Sequence, residues 1–308
     1  MKKISVITPT YNEEENVELL IKKIKEEFLK INYDYEHIII DNNSNDKTIP
    51  ILRSICKNDK NVKVIINNKN YGHITSPYYA LMQSSGDASI LIASDFQDPI
   101  ELIPQLIKKW EENHKVVLLQ KKSSDENFLI KNIRKFYYRF LAKISGTSLT
   151  TDTTGAGIYD KSVVGILQSI KDPIPYLRGL VSEVEGNIGL LQFDQPPRKF
   201  GKTKNNLLTL IDMAMIGFVK HSKLPLRLMI IFGLVISMLS ILVSIIFLFY
   251  KIFFWDSFEI GMAPIIIGFF FISAVQIILL GIVGEYISIT LSHARSLPLV
   301  NEKERINF

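Results

Sequence analysis

The sequence is poor in cysteine: its 308 residues include only Cys56, which excludes a disulfide bond within one chain and fits a reducing compartment. We also expect no secretory signal, because Lys2 and Lys3 lead only into the short apolar run 4–7. Neither G-x-G-x-x-G nor G-x-x-x-x-G-K followed by Ser or Thr occurs. The sequence therefore gives no support to a Rossmann dinucleotide site or a P-loop.

Charge is missing from two long apolar runs, residues 228–250 and 260–284. Each is longer than the ~20 residues that a helix needs to cross a ~30 Å hydrocarbon core. Only nine residues separate the runs, so they predict a transmembrane hairpin of two helices with both ends on one side of the membrane. The alternative, two buried helices of a large soluble core, would rarely need runs this long without a charge.

Basic residues set the expected orientation of this hairpin. They flank the two runs at Lys220, Lys223, Arg227, His293 and Arg295. The connecting loop has one basic residue only, Lys251. By the positive-inside rule, both termini and the N-terminal domain face the cytoplasm, as expected for a multi-pass protein of the inner (plasma) membrane. The predicted organisation is a cytoplasmic domain 1–204, a juxtamembrane amphipathic region 205–227, the spans 228–250 and 260–284, and a cytoplasmic tail 285–308.

The overall charge is modest, since 36 Lys and Arg against 31 Asp and Glu give a net +5. Locally, residues 198–227 hold a basic cluster in which Asp212 is the only acid. Such a cluster beside a membrane attracts anionic headgroups or phosphates, although it could equally serve only as a topology signal. Nucleic-acid binding is not expected, because no recognition motif is present and the cluster adjoins a membrane span.

Strand-like and helix-like segments alternate through the first third of the chain. Apolar, strand-like runs occur at 4–8, 38–40, 62–66, 89–93 and 116–119. Helical periodicity predicts helices from a capping box at Asn12 and Glu15 to Phe28, near 76–83 and at 103–110. This alternation predicts an α/β fold in which helices cover both faces of a mostly parallel sheet.

Polar clusters follow three of the predicted strands, at 9–13, 41–46 and 95–98. Ligands bind at the carboxyl ends of strands in such folds, so together the clusters predict one shared site, although each alone is an ordinary turn. Asp41 can accept hydrogen bonds from a nucleobase or a ribose. Asp95 and Gln97 can offer oxygen ligands to a magnesium-type ion, which prefers one or two carboxylates with phosphate oxygens and water. The residues therefore point to a nucleotide diphosphate and a metal.

In their order along the chain, these motifs resemble family-two glycosyltransferases of the GT-A fold. The resemblance covers residues 6–13 (VITPTYNE), 40–46 (IDNNSND), 95–99 (DFQDP), 178–180, 198–204 and 281–286, and so nearly the whole chain. The combination is specific to the polyprenyl-phosphate glycosyltransferases, a group similar to dolichol-phosphate mannosyltransferase and bactoprenol glucosyltransferase. It implies a GT-A type, mostly parallel sheet with flanking helices, followed by the two-helix transmembrane hairpin.

The resemblance also implies roles for individual residues. Those that surround the nucleotide-sugar donor are Pro9, Tyr11, Glu13, Asp41 and Asp95. Asp95 and Gln97 would bind Mg²⁺ or Mn²⁺. The acceptor phosphate would be bound by Lys121, Arg198 and Lys204, the last two in a basic loop that closes on the phosphates. Catalytic roles fall to Asp95, Asp98 and Arg198.

Three departures from the family pattern affect this site. Ala93 stands where members often carry the first Asp of an Asp-x-Asp metal motif, so one metal ligand is missing. Asn42 stands where many members carry a second Asp. Residues 152–157 (DTTGAG) replace a common Gly-Asp-Phe-Arg segment, so contacts with the acceptor or the sugar are expected to differ there.

The activity that the resemblance implies is inverting transfer of a sugar from a nucleotide diphosphate, with UDP expected, to polyprenyl phosphate at the cytoplasmic membrane face. A lipid phosphate has a second pKa near ~6 and is ionised at neutral pH, so a general base is not strictly required. A hydroxyl acceptor on a lipid-linked saccharide would need one, with Asp98 and Asp152 as candidates. A catalytically silent scaffold is the remaining alternative, suggested by Ala93. Gln276, which is costly within a span, could bond the partner helix or another subunit of a homo-oligomer.

Overall fold

A computed structural model describes residues 1–122, 153–196, 262–295 and 297–308, together with scattered residues of 231–253. The chain divides into two compact units. The first combines the described residues of Met1–Met213 with Arg295–Phe308, and the second contains those of Ala214–Ala294. The candidate site lies in the first unit.

Among the described residues, an eight-stranded sheet forms the centre of the first unit. Its strands are β1 (Lys3–Thr10), β2 (Asp34–Asp41), β3 (Val62–Asn67), β4 (Ala88–Leu91), β5 (Val116–Lys121), β6 (Thr153–Asp160), β7 (Ile188–Phe193) and β8 (Glu302–Ile306). They are ordered β7-β5-β6-β4-β1-β2-β3-β8 across the sheet. β6 and β8 run antiparallel to their neighbours and the other strands run parallel, which confirms the predicted mostly parallel sheet.

Helices cover both faces of this sheet, as the alternation of strands and helices predicts. They are α1 (Val17–Phe28), α2 (Thr48–Asn58), α3 (Gly72–Leu81), α4 (Ile103–Glu111), α5 (Lys161–Ser169) and α6 (Leu177–Val184). Helices α1, α2 and α4 pack on one face, where Val6 is fully buried, and α3, α5 and α6 pack on the other, where Ile7 is fully buried. Neighbouring residues of a strand point to opposite faces, so the central strands are apolar at nearly every position.

The start of α1 differs from the prediction. The capping box of Asn12 and Glu15 is wrong, because α1 begins at Val17 and its N-cap residue, Asn16, makes no side-chain cap hydrogen bond. Asn12 instead has a left-handed φ of 55°. Its Oδ1 accepts a hydrogen bond of 2.8 Å from the backbone N–H of Asn45. The Asn12 side chain therefore links two loops and does not cap the helix.

Strand β8 was not among the predicted elements. It pairs antiparallel with the edge strand β3, with Ile306 opposite Val64. Side chains from two helices also bind β8. Arg53 of α2 forms an ion pair with Glu304, and the Tyr79 hydroxyl of α3 donates to Glu302 at 2.8 Å. The segment that follows the apolar regions in sequence thus belongs to the sheet of the first unit.

One further helix, α7 (Met262–Arg295), is long and strongly apolar. Its section Val275–Arg295 is, within the part of the chain that the structure describes, the one helix long and apolar enough to cross a membrane. The predicted second span, 260–284, overlaps α7. Of the predicted first span, 228–250, only some residues from 231 onward are described, and these are helical.

Candidate functional site

The loops after β1 and β2 are joined by hydrogen bonds between backbone and side chains. The N–H of Asn12 donates to Ser44 Oγ at 2.8 Å, and the N–H of Glu13 donates to Thr48 Oγ1 at 2.9 Å. Pro9, Tyr11 and Glu13, which the sequence assigns to the donor, lie half-buried along this junction. The structure therefore brings the first two predicted clusters together at the carboxyl edge of the sheet.

Asp41 is fully buried at the end of β2. Its Oδ1 accepts from the Ser44 backbone at 2.8 Å, and its Oδ2 accepts from the Ser44 and Thr10 hydroxyls. Burial raises the pKa of Asp41, while the bonds from Ser44 and Thr10 oppose that rise. These contacts show that the carboxylate holds the 41–44 turn in shape, a role that the sequence does not reveal.

The Asn42 side chain is bonded at every polar position. Its Oδ1 accepts from Asn67 Nδ2 at 3.0 Å and from the Tyr71 backbone at 2.8 Å. Its Nδ2 donates to Asn70 Oδ1 at 2.8 Å and to the Gly72 carbonyl at 3.1 Å. All four hydrogen-bonding positions of the amide are used. A carboxylate here would face two oxygen acceptors without a hydrogen to donate.

The turn after β4 carries the acidic residues. Asp95 is 7% exposed and Asp98 is 4% exposed. The Asp95 Oδ1 accepts from the Gln97 backbone at 3.2 Å, and the Asp98 Oδ2 accepts from the Ala93 backbone at 3.1 Å. Burial raises the pKa of Asp98 to about 6, an effect to which the negative charge of Asp95 adds. Between them, Phe96 has a left-handed φ of 59°, which makes the tight reversal possible.

The metal-binding capacity of this turn is limited. Within the described residues there is no group of three or more His, Cys, Asp or Glu side chains that could enclose a metal ion. Asp95 and Gln97 nevertheless supply one carboxylate and one amide oxygen. That donor set fits a magnesium-type ion, because such ions take the rest of their ligands from phosphate oxygens and water. It does not fit an ion that needs a complete protein cage.

Cationic groups lie at the next strands of the same edge. Lys121 ends β5, and its positive charge acts to lower the pKa of Asp98 against the effect of burial. Thr153, the first residue of β6, pairs with Gln120, one residue before Lys121. The structure thus places a predicted acceptor-phosphate residue close enough to the Asp98 carboxyl for their charges to interact.

Arg178 joins this group, although the sequence assigns it no role beyond its motif. Its Nη1 donates to the Thr153 carbonyl at 2.8 Å, and its guanidinium lies 5.3 Å from the ring centroid of Tyr176. The side chain passes over Gly155, whose φ is +87° and whose hypothetical Cβ would lie 3.6 Å from Arg178 Cγ. The left-handed backbone at this position, rather than a lack of space, is what favours glycine there.

His73 is the second group that the sequence gives no signal for. His73 as a whole is exposed, but partial burial of its ring lowers the pKa of the imidazole, and the positive charge of Arg178 lowers it further. His73 belongs to the first turn of α3 and directly follows Gly72, whose carbonyl accepts a hydrogen bond from Asn42. Arg198, Lys204 and Asp152, three other predicted residues, lie outside the described residues.

Comparison with known proteins gives a consistent result. The sequence model of "Glycosyl transferase family 2" matches residues 5–165. The chain is 30% identical over 296 residues to the uncharacterized glycosyltransferase YkcC of Bacillus subtilis, covering 96% of this chain and 91% of that protein. It is 28% identical over 298 residues to the prophage bactoprenol glucosyl transferase homolog of Escherichia coli, covering 96% and 97%.

A solved structure with a similar fold is glucosyl-3-phosphoglycerate synthase from Mycobacterium tuberculosis in complex with Mn²⁺, UDP and phosphoglyceric acid. The TM-score is 0.51 at 18% sequence identity, and the match covers 71% of this chain and 76% of the mycobacterial chain.

Proposed function

The chain belongs to glycosyl transferase family 2, and on that premise we propose that it transfers a sugar from a nucleotide diphosphate to a polyprenyl phosphate. Its mostly parallel sheet is that of the GT-A fold, and the chain is a glycosyltransferase. We further propose that the donor is a UDP-sugar, that the acceptor is a lipid phosphate and that the reaction takes place at the cytoplasmic face of the membrane. Relatives named bactoprenol glucosyl transferases support a lipid carrier as the acceptor.

The observation that carries the proposal is the arrangement of charge along the carboxyl edge of the sheet. Carboxyl groups follow β4, at Asp95 and Asp98, and cations follow at Lys121 and Arg178. A reaction between a diphosphate donor and a phosphate acceptor must bring two anions together. Positive side chains and a carboxylate that could bind a metal, placed along one edge of the sheet, are suited to that task, because fixed charges stabilise developing charge without reorganisation.

On the donor side, we assign Asp95 and Gln97 to a divalent ion, Mg²⁺ or Mn²⁺. When bound, such an ion neutralises the diphosphate leaving group. The mycobacterial neighbour, which is complexed with Mn²⁺ and UDP, agrees with this assignment. The linked loops after β1 and β2, including Pro9, Tyr11 and Glu13, would hold the nucleotide.

On the acceptor side, Lys121 and Arg178 would attract the lipid phosphate. A phosphate monoester with a second pKa near ~6 is already a nucleophile at neutral pH, so the chain must position it rather than deprotonate it. Arg178 can offer parallel N–H donors, and Lys121 a point charge. Arg198 and Lys204 remain proposed to close over the phosphates from the basic loop.

A lipid-linked saccharide is the second candidate acceptor, because the buried Asp98 carboxyl lies in the same turn as Asp95 and could act as the base that a hydroxyl acceptor needs. A carboxyl group with a pKa of about 6 can take up and release a proton near neutral pH. A hydroxyl acceptor would require such a base. With a phosphate acceptor, Asp98 would instead keep the turn after β4 in place through its bond to the Ala93 N–H.

Strand β8 supports the two-helix hairpin by a parity argument. β8 pairs with β3, so the chain on either side of the apolar segments lies on one side of any membrane and crosses it an even number of times. Helix α7 can supply one crossing, and its Ile265, Phe269 and Ile277 are more than 60% exposed, as lipid-facing residues would be. The uncharged run 228–250 would supply the other. The flanking basic residues then favour a cytoplasmic catalytic domain.

The deciding experiment incubates the purified full-length protein with labelled UDP-sugars, Mn²⁺ and either a short polyprenyl phosphate or a lipid-linked saccharide. The proposal expects a labelled glycolipid that mild acid cleaves, formed from polyprenyl phosphate, and its loss in the Asp95→Asn variant. Product only with the saccharide acceptor would favour the second candidate. No product with any nucleotide sugar would overturn both and favour a scaffold.

A further inference from the structure

The segment between α7 and β8, called the tail below, is bound to the turn 68–72 at Asn301. Both the carbonyl and the N–H of that residue make a hydrogen bond to the turn. The Asn68 N–H donates to the Asn301 carbonyl at 3.0 Å. The Asn301 N–H donates to the Tyr71 hydroxyl at 3.0 Å, and that hydroxyl donates to Asn68 Oδ1 at 2.8 Å. Asn301 therefore contacts the turn at two points, directly before β8 begins.

Tyr71 extends this contact toward the donor side of the site. Its backbone N–H donates to Asn42 Oδ1 at 2.8 Å, so one residue bonds the tail through its hydroxyl and the β2 loop through its amide. The ring between these two groups is rigid, and Lys69 Nζ lies 5.1 Å from its centroid. The hydroxyl and the backbone amide of Tyr71 are thus each held by a partner, the first by Asn301 and the second by Asn42.

Asn42 completes the connection. Its own N–H donates to the Thr10 carbonyl at 2.9 Å, next to the residues that would hold the nucleotide. Its neighbour Asp41 shapes the 41–44 turn, whose Ser44 hydroxyl accepts from Asn12. Because the Asn42 amide is fully used, its position depends on where the turn 68–72 lies.

We infer that Tyr71 is a positioning residue for the donor pocket, and that the tail at Asn301 acts on that pocket through it. The inference rests on the proposed function, since it assigns the loops after β1 and β2 to a nucleoside diphosphate. Tyr71 itself need not touch the nucleotide. Its role is to hold Asn42, and with it the loop after β2, in the conformation that binds the nucleotide.

The test measures the affinity of UDP for the full-length protein in detergent, by calorimetry with Mn²⁺, for wild type and Tyr71→Phe. This substitution removes one hydroxyl and keeps the backbone bond to Asn42. Tyr79→Phe is the matched control: it also removes a hydroxyl that bonds the tail, at Glu302, but among the described residues Tyr79 makes no hydrogen bond to the Asn42 loop.

Tyr71→Phe removes both hydrogen bonds of the hydroxyl and is expected to raise the Kd for UDP, and the KM for the sugar donor, ~5-fold, an effect of the size of one net hydrogen bond. The kcat at saturating donor and the KM for the acceptor should not change. Tyr79→Phe should leave the Kd unchanged. Asn301→Pro removes the N–H that donates to the Tyr71 hydroxyl, so it should raise the Kd for UDP to the same extent as Tyr71→Phe. The Kd of the double variant should be no higher than that of either single variant.

Unchanged UDP affinity in Tyr71→Phe would overturn the inference, as would an equal loss in Tyr79→Phe. Fully additive losses in Tyr71→Phe and Asn301→Pro would show that the tail does not act through Tyr71. A wild-type protein that binds no nucleoside diphosphate would instead remove the proposed function, and the inference with it.

Discussion

Asp98 shares a turn with Asp95, and burial together with the negative charge of Asp95 holds the pKa of Asp98 at about 6. This relationship makes the folded protein disfavour the ionised form of Asp98. An unfolded chain would release the same proton near the ordinary value of 3.8. The difference has consequences for stability as well as for catalysis.

The first prediction concerns the pH dependence of stability. The stability that protonated Asp98 contributes is complete below pH 3.8 and is lost as the pH rises through about 6. Asp98→Asn should therefore stabilise the protein relative to wild type at pH 7 by about 2–3 kcal/mol, because a tenfold change in a proton-binding constant corresponds to ~1.4 kcal/mol. At pH 4 the variant should differ little from wild type. Thermal unfolding across this pH range measures the difference.

Asp160→Asn is the control of opposite sign. Burial works to raise the pKa of Asp160, but hydrogen bonds from Ser162 and Trp110 outweigh it and lower that pKa. Its stabilising contribution is present at neutral pH and lost in acid, so this variant should be less stable than wild type at pH 7. An Asp98→Asn effect that does not vary with pH would contradict the assigned pKa.

The second prediction concerns the turn after β4, where we propose that the metal binds. Asp95→Asn should lower kcat by at least ~10²-fold, as expected when a group that stabilises developing charge is lost. Gln97→Ala should have a milder effect, because a neutral amide contributes less than a carboxylate. Turnover that resists both EDTA and Asp95→Asn would rule out metal-assisted departure of the nucleotide.

The third prediction tests Arg178 on the acceptor side. Arg178→Ala should raise the KM for polyprenyl phosphate by ~10-fold or more, and Arg178→Lys should restore only part of the loss, since lysine cannot make paired N–H bonds. Arg53→Ala, which removes an arginine that pairs with Glu304 at the β8 edge, is the control. A change in donor KM alone would show that Arg178 acts elsewhere.

The fourth prediction concerns the amide at position 42. Asn42→Asp replaces two donated hydrogens with a buried charge that faces the oxygens of Asn70 and Gly72. The free energy of unfolding should fall by ~2–4 kcal/mol, because buried groups would lose their partners. Asn43→Asp, at the half-buried next residue, should change it little. Chemical denaturation of the two variants gives the comparison.

The fifth prediction addresses topology. Ser257→Cys, in the loop between the apolar runs, should react with an impermeant thiol reagent on intact cells, and Lys57→Cys, exposed on α2, only after permeabilisation. The native thiol does not interfere, because Cys56 is 1% exposed and burial raises its pKa to about 11. Labelling of Lys57→Cys from outside would refute the cytoplasmic assignment.

The parts of the fold that the sequence predicts are those with a strong local pattern. β1 to β5 are apolar runs, and α1 has a clear helical periodicity, so their existence follows from local preferences. β6 contains Gly155, Ala156 and Gly157, and β8 reads EKERI, so neither has an apolar signature. Both are defined by pairing: a Cβ at Gly157 would lie 2.1 Å from the Val117 carbonyl oxygen, which only glycine allows.

The site shows the same division. Its location at the carboxyl edge follows from the order of strands and polar clusters. The hydrogen bonds of individual side chains cannot be predicted in this way. Asp41 bonds within its own loop, whereas Asn12 bonds to a different loop. Arg178 reaches the site from a helix that no local signal connects with β6.

The pairing of β8 with β3 also orders the events of synthesis. Val64 and Ile306 lie opposite each other, yet the ribosome adds the second only after the whole of α7 has been made. Until then the nascent domain carries an open, apolar edge strand, which is a site for aggregation and for chaperones. In the proposed two-span topology, a chain that inserted only one of its apolar segments would carry β8 to the far side of the membrane and leave that edge uncovered, so closure of the sheet requires an even number of crossings.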